Sequence, residues 1–165
     1  MKKILPLTAL IAVAVATVVA TVGSAQTTGA RTLTLFENTS RESSTFVDNA
    51  PASPARDPDS PRFRLSVGDE LVARTPVLDR RGGSRVGTAI AHVTVVSGRT
   101  FENAVVQGEV VLALRDVMIA LTGLAGSAER PFAVVGGTGA YEGASGSATE
   151  KETGGGAELT IRLLR

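Results

Sequence analysis

A glycine-rich stretch at residues 132–146, FAVVGGTGAYEGASG, constrains the fold of this chain most strongly. Its first four residues are apolar and are typical of a short buried strand. Five glycines follow within eleven residues, and glycine adopts positive φ angles and lets another backbone approach closely. The stretch therefore predicts a tight turn at which a β-sheet changes direction.

The chain on both sides of this turn is built from short segments rich in Val, Leu, Thr and Ala. Alternating or β-branched residues, separated by glycine-containing turns, predict strands rather than helices. The predicted strands cover residues 31–39, 71–78, 86–96, 105–114, 117–124, 132–135, 145–152 and 157–164. Eight short strands without a helix indicate an all-β antiparallel barrel or a sandwich, and barrel closure removes two exposed edges. We therefore expect a closed eight-stranded barrel.

Residues 40–61 interrupt this pattern, because they contain four prolines among Ser, Asp, Asn and Ala. Proline breaks helices and inner strands, so this segment is predicted to be a long loop. Loops of this length are usually functional or disordered. Phe46 and Val47 could cover a cavity from this loop, or the loop could be a mobile surface segment.

The first 25 residues have the features of a secretory signal peptide. Lys2 and Lys3 precede a long apolar run, and Gly23, Ser24 and Ala25 provide small residues before a predicted cleavage site at Gln26. An uncleaved membrane anchor is the alternative. With cleavage, residues 26–165 form a single β-barrel domain of a secreted, extracellular protein that has no membrane segment.

Charge and composition exclude several classes of function. Without Lys2 and Lys3, the 17 basic residues fall to 15, against 16 acidic residues, so no basic surface for nucleic acid is expected. The chain has no cysteine and one histidine, which predicts no metal site and no disulfide. The residues 137–139, Gly-Thr-Gly, lack the third glycine of a dinucleotide-binding loop, so no cofactor is predicted.

Several short stretches, which occur in the same order along the chain, resemble the barrel family of the plant allene oxide cyclases and the dirigent proteins. These stretches are residues 67–71 (VGDEL), 85–89 (RVGTA), 106–108 (VQG) and 135–144 (VGGTGAYEGA), and together they span most of residues 31–164. The resemblance implies a closed barrel, a cavity for a small hydrophobic molecule and a possible homotrimer. The cysteine of the cyclases is missing, and the acidic and arginine positions of the dirigent turn are Ala140 and Ser145.

Glu37 is the main candidate for a functional side chain. It shares strand parity with Leu33 and Leu35, so it is expected either to face the barrel interior with a raised pKa or to be a solvated carboxylate at a strand end. The resemblance also implies a carboxylate at this position. Phe36 and Asn38 beside it, and Tyr141 and Glu142 in the turn, complete the predicted ligand contacts.

His92 is the second catalytic candidate, although a packed or surface imidazole is the alternative. The five Phe and one Tyr are few for a pocket that holds phenolic radicals or an extended polyene. We therefore expect an exported barrel that binds a small hydrophobic molecule without catalysis, or that is structural. The alternative is a cofactor-free cyclase or isomerase, or a dirigent-type guide that orients a reactive intermediate.

Overall fold

The structure is a computed structural model that describes residues 30–55, 57, 60–126 and 129–164. The predicted signal peptide lies outside these residues. No helix in the described part of the chain is long and apolar enough to cross a membrane. The described residues form nine strands: β1 (Arg31–Glu37), β2 (Ser43–Val47), β3 (Glu70–Leu78), β4 (Arg85–Ser97), β5 (Val105–Leu114), β6 (Val117–Ala125), β7 (Glu129–Gly137), β8 (Ser145–Thr153) and β9 (Gly156–Leu164).

Eight of these strands close into an antiparallel barrel, as predicted from the sequence. Strands β3 to β9 pair consecutively, and β9 pairs with β1 along its whole length. The end of β1 then pairs with the end of β3, where Phe36 lies opposite Leu78 and Glu37 lies opposite Val77. This last pairing closes the barrel and places Glu37 at the junction between its first two strands.

Strand β2 corrects the prediction of a continuous loop over residues 40–61. Residues 43–47 (SSTFV) precede the first proline of the segment, Pro51, and their β-branched and aromatic residues favour a strand. They pair with the first half of β3, from Ser43 opposite Arg74 to Val47 opposite Glu70. Strands β1 and β2 therefore cover successive parts of β3, and a short 3-10 turn at Thr39–Arg41 separates them.

Strand β7 begins three residues before the predicted start at Phe132. In the described residues, Glu129–Pro131 pair with β8 alone, and the pairing with β6 begins at Phe132. Proline lacks a backbone N–H, so it is tolerated where only one neighbouring strand is present. The local pairing thus explains how Pro131 lies within a strand.

The glycine-rich turn after β7 has the conformation that the sequence predicts. Gly139, Gly143 and Gly146 have φ angles of 57°, 68° and 147°. Such angles are rare for residues with a side chain. The turn leads the chain from β7 into β8 at one end of the barrel.

Large side chains fill the half of the barrel next to this turn, which we call the filled half. They are fully buried and come from four strands, β3, β5, β6 and β9: Val77, Leu112, Ile119, Leu121, Leu159 and Ile161. Their burial is the main stabilising contribution to the fold, since each contributes about 1.5–3 kcal/mol. The other half of the barrel is built differently and contains the candidate site.

Candidate functional site

The opposite half of the barrel, which we call the open half, encloses a cavity of about 170 Å³. Its inward positions are occupied by residues with small side chains or none: Ala73, Ala89, Ala91, Gly108, Gly123 and Ala125. Gly108 and Gly123 lie opposite each other on β5 and β6, so this part of the wall consists of backbone. The same inward alternation that fills one half with Leu and Ile thus leaves the other half hollow.

One wall of this largely apolar cavity carries four charged residues, which we call the acid cluster: Glu37, Glu42, Arg130 and Glu150. Arg130 donates a hydrogen bond of 2.6 Å to Oε1 of Glu150, and its other terminal nitrogen bonds to Glu152. The Arg130 and Glu150 side chains are only 13% and 10% exposed. The cluster has more carboxyl groups than positive charges, and burial of an unbalanced negative charge is costly. At least one carboxyl group is therefore expected to retain its proton.

Glu37 is the group that best meets this expectation. Its side chain is buried, with 8% of the residue exposed, at the junction between β1 and β3. Burial and the neighbouring carboxylates of Glu150 and Glu42 raise the pKa of Glu37 to about 8, although Arg130 opposes the shift. No hydrogen bond joins its carboxyl group to another described residue. A neutral carboxyl group therefore faces an apolar cavity with a proton that it can donate.

The other two acids of the cluster are also shifted. Burial raises the pKa of Glu42, while a hydrogen bond from Thr75 Oγ1 to its Oε2 (3.0 Å) and the charge of Arg130 oppose the rise. Burial raises the pKa of Glu150 as well, and Arg130 again acts in the opposite direction. Arg130 thus holds Glu150 as its ion-pair partner, which leaves Glu37 as the proton donor.

Three phenylalanines gather where the cavity meets the segment that precedes β3. Phe46 from β2 and Phe101 from the β4–β5 connection line the cavity, while Phe63 packs behind them with 5% of its surface exposed. One interpretation of the proline-rich segment placed Phe46 and Val47 over a cavity, and Phe46 lines the cavity here. Val47 is 41% exposed and does not line the cavity.

A buried aspartate fixes the segment that carries Phe63. Asp69 is fully buried and accepts hydrogen bonds from the backbone N–H groups of Asn49 (2.9 Å) and Ser66 (2.7 Å), and from the Ser66 hydroxyl (2.9 Å). One carboxylate therefore joins the two ends of the excursion between β2 and β3. Leu65 adds a backbone hydrogen bond to the Arg99 carbonyl (2.9 Å).

Of the predicted ligand contacts Phe36, Glu37 and Asn38, only Glu37 lines the cavity. Phe36 is buried with the Arg81 guanidinium 5.9 Å from its ring centre, and it does not line the cavity. Asn38 donates its backbone N–H to the Pro76 carbonyl (2.9 Å) and is also absent from the cavity wall. Strand alternation explains the difference, since neighbours of an inward residue face elsewhere.

Tyr141 and Glu142 line a separate recess of about 320 Å³ at the filled end of the barrel. The Arg31 guanidinium lies 5.8 Å from the centre of the Tyr141 ring, and Leu163 contributes to the same recess. They are therefore not in the cavity with Glu37. The sequence placed both in the turn but did not show at which end of the barrel the cavity would form.

His92 lies on the outer surface of β4, and its side chain is 53% exposed. Its Nε2 atom is 3.3 Å from Oε2 of Glu70, and the imidazole does not line the cavity. The inward positions of β4 are its alternate neighbours Ala91 and Val93. The structure therefore places the acid cluster, and not His92, against the space that a ligand would occupy.

Sequence reasoning missed Arg130, Glu150 and Glu42. Glu150 shares its strand parity with the buried Ala148, which is a signal that the sequence contained. Arg130 precedes the predicted strand start at Phe132, and Glu42 lies beyond the end of β1. Strand alternation therefore predicted no inward position for either residue. In the described part of the chain, no three acidic or histidine side chains are arranged to hold a metal ion.

Comparison with known proteins identifies related folds but no family by sequence. No protein-family model and no curated protein sequence matches the chain. A solved pyocyanin demethylase is similar in structure, with a TM-score of 0.62 and 20% identity over 81% of this chain and 99% of the other. A pterocarpan synthase dirigent protein has a TM-score of 0.53 and 20% identity over 90% and 94% of the two chains.

An exo-specific intermolecular Diels-Alderase is also similar, with a TM-score of 0.53 and 16% identity over 82% of this chain and 98% of the other. At these identities the likeness concerns the fold. The chain therefore has a closed antiparallel barrel fold that resembles those of a dirigent protein and of a Diels-Alderase.

Proposed function

We propose that the open half of the barrel binds a small, mainly apolar molecule and that Glu37 donates a hydrogen bond to an oxygen acceptor of that molecule. The observation that supports this proposal is the position of the buried Glu37 carboxyl group on the wall of an apolar cavity, where burial raises its pKa to about 8. Ligand sites combine apolar walls with a few convergent polar groups, and shifted pKa values are common at such sites.

The cavity volume limits the size of the buried part of the ligand. An engineered apolar cavity of about 150 Å³ in another protein binds benzene, and the cavity here has a volume of about 170 Å³. One six-membered ring with a short substituent is therefore a suitable ligand. An extended polyene would need a larger space.

The arrangement favours cofactor-free acid catalysis of a cyclisation or an isomerisation. A carboxyl group that is neutral near pH 7 can donate its proton, or a strong hydrogen bond, to a carbonyl oxygen as negative charge develops there. The same oxygen returns the proton when the rearrangement is complete, so the protein is unchanged. Two of the similar barrels, a Diels-Alderase and a pterocarpan synthase dirigent protein, are consistent with this class of reaction.

Binding without catalysis is the second candidate. The apolar lining of the cavity and the outward position of His92 favour it, because the acid cluster and Glu70 are then the only ionisable groups among the described residues that line the cavity. Product analysis separates the two candidates. A carrier releases its ligand unchanged, whereas a catalyst should lose at least about tenfold in turnover in the Glu37→Gln variant, because an amide cannot transfer a proton.

The N-terminal sequence supports a role outside the cytoplasm. Residues 1–25 combine two lysines, a long apolar run and small residues before the predicted cleavage site, which is the pattern of an export signal. We propose that the barrel acts after export. Mass spectrometry of the protein from the culture medium, with Gln26 as the expected first residue, tests this proposal, and retention of residues 1–25 would contradict it.

A cavity-filling substitution tests the proposed binding site. Ala91 lines the cavity, and Ala133 is exposed on the outer face of β7. Calorimetric titration with acetophenone, a ring with one carbonyl acceptor, should show binding to the wild type and to the Ala133→Leu control. Ala91→Leu should weaken binding about tenfold or more, because its side chain occupies the space of the ligand. Equal affinity in both variants would place the ligand elsewhere.

A further inference from the structure

Two of the three phenylalanines at the edge of the cavity, Phe46 and Phe101, form the walls of a notch, which we define as the space between their rings on the cavity side. The centres of these two rings are 6.2 Å apart, and their planes meet at 75°. Both residues are half-buried and line the cavity. A ligand in the cavity would therefore meet two aromatic surfaces at nearly a right angle.

Phe63 holds both walls of the notch in place. It stacks on Phe101, with ring centres 5.6 Å apart and an interplanar angle of 9°, and it meets Phe46 edge to face at 5.4 Å and 73°. Phe63 is buried and does not line the cavity. Because Asp69 anchors the segment that carries Phe63, the walls of the notch are arranged before a ligand arrives.

We propose that Phe46 and Phe101 select a planar unsaturated ring, and that the site discriminates against a saturated ring with the same acceptor group. This inference rests on the proposed function, because it specifies the class of molecule that the cavity binds. A planar ring can lie against one wall while its edge meets the other, which are the two arrangements that aromatic pairs prefer. A saturated ring is thicker and has neither a π face nor a polarised edge.

The remaining walls agree with this selection. Outside the notch, the inward positions of β3 to β6 are mostly Ala, Val and Gly, which add apolar contact without a preferred ring geometry. The acid cluster lines the same cavity and, apart from Glu70, supplies the only ionisable side chains among its described lining residues. We therefore expect the ligand to be an aromatic or conjugated ring that carries a carbonyl or a similar oxygen acceptor.

Two ketones of the same size test the inference. Acetophenone and cyclohexyl methyl ketone share the acceptor and differ in the ring, so their affinity ratio isolates the effect of planarity. We expect the wild type to bind acetophenone roughly five- to tenfold more tightly, since two aromatic contacts are formed. In Phe101→Leu and in Phe46→Leu, the ratio should fall to about twofold or less.

A matched substitution outside the cavity controls for general effects of losing a ring. Phe36 is buried but does not line the cavity, so Phe36→Leu should keep the wild-type ratio. Circular dichroism confirms that each variant is folded before titration. If the wild type binds both ketones equally, the aromatic selection is refuted while the proposed binding site stands. If it binds neither ketone, both proposals are refuted.

Discussion

Replacement of Glu37 by glutamine should make the protein more stable at high pH. The pKa of Glu37 is about 8 in the folded protein against 4.5 for an unperturbed glutamate. Between these values the unfolded chain loses the proton that the folded chain keeps, so the folded state binds more protons and its stability falls as pH rises. Glutamine preserves the shape of the neutral carboxyl group and has no proton to lose.

The size of the effect follows from the difference between the two pKa values. At about 1.4 kcal/mol for each pH unit, the interval from 4.5 to about 8 corresponds to roughly 5 kcal/mol of stability that the wild type loses by pH 9. At pH 7 the loss is about 3 kcal/mol, because only part of the interval has been crossed. Glu37→Gln should avoid this loss, which is large compared with typical domain stabilities of about 5–15 kcal/mol.

Urea unfolding followed by circular dichroism at pH 5, 7 and 9 measures this difference. The variant should match the wild type within about 1 kcal/mol at pH 5 and exceed it increasingly at pH 7 and pH 9. The control is Glu109→Gln, which removes an exposed carboxylate from the outer face of β5 and should leave the pH profile unchanged. A constant difference between Glu37→Gln and wild type across this range would refute a neutral Glu37.

Two further substitutions test the surroundings of the cavity. Arg130→Met should cost about 3 kcal/mol of folding stability near neutral pH, because it leaves the buried Glu150 carboxylate without its partner. Thermal unfolding should show a smaller loss at pH 4, where the carboxyl groups are protonated. An equal loss at both pH values would contradict the ion-pair account. Asp69→Ala should lower the free energy of unfolding in urea by about 2–4 kcal/mol, because it leaves the backbone N–H groups of Asn49 and Ser66 unpaired. A loss below about 0.5 kcal/mol would show that Asp69 does not anchor the segment.

The sequence was sufficient to predict the barrel because the fold depends on local signals. Alternation within each strand and glycines at positive φ angles are visible in short windows, and the turn at Gly139, Gly143 and Gly146 has the predicted conformation. For Glu37, which alternates with Leu33 and Leu35 on β1, the sequence left burial and a solvated strand end as alternatives, and the structure shows burial. Strand β2 was missed because the four prolines of the segment outweighed five residues that precede them.

The site could not be predicted to the same extent because it depends on contacts between distant strands. Arg130 and Glu150 meet Glu37 only after the barrel closes, and alternation alone does not distinguish a buried ion pair from a solvated one. The small number of aromatic residues in the sequence did not show where their rings would lie. Phe46, Phe63 and Phe101 are far apart in sequence, yet the fold brings them together beside the cavity.

The pH dependence of acetophenone binding tests the central claim most directly, because it requires the cavity and the neutral carboxyl group together. Calorimetry should give a constant affinity for the wild type from pH 5 to 7 and about a tenfold lower affinity by pH 9.5, since an ionised Glu37 cannot donate a hydrogen bond. Glu37→Gln should bind with an affinity that does not change over this range, because its amide remains a donor. A wild-type affinity that is equally independent of pH would contradict the assignment of Glu37 as the group that holds the ligand.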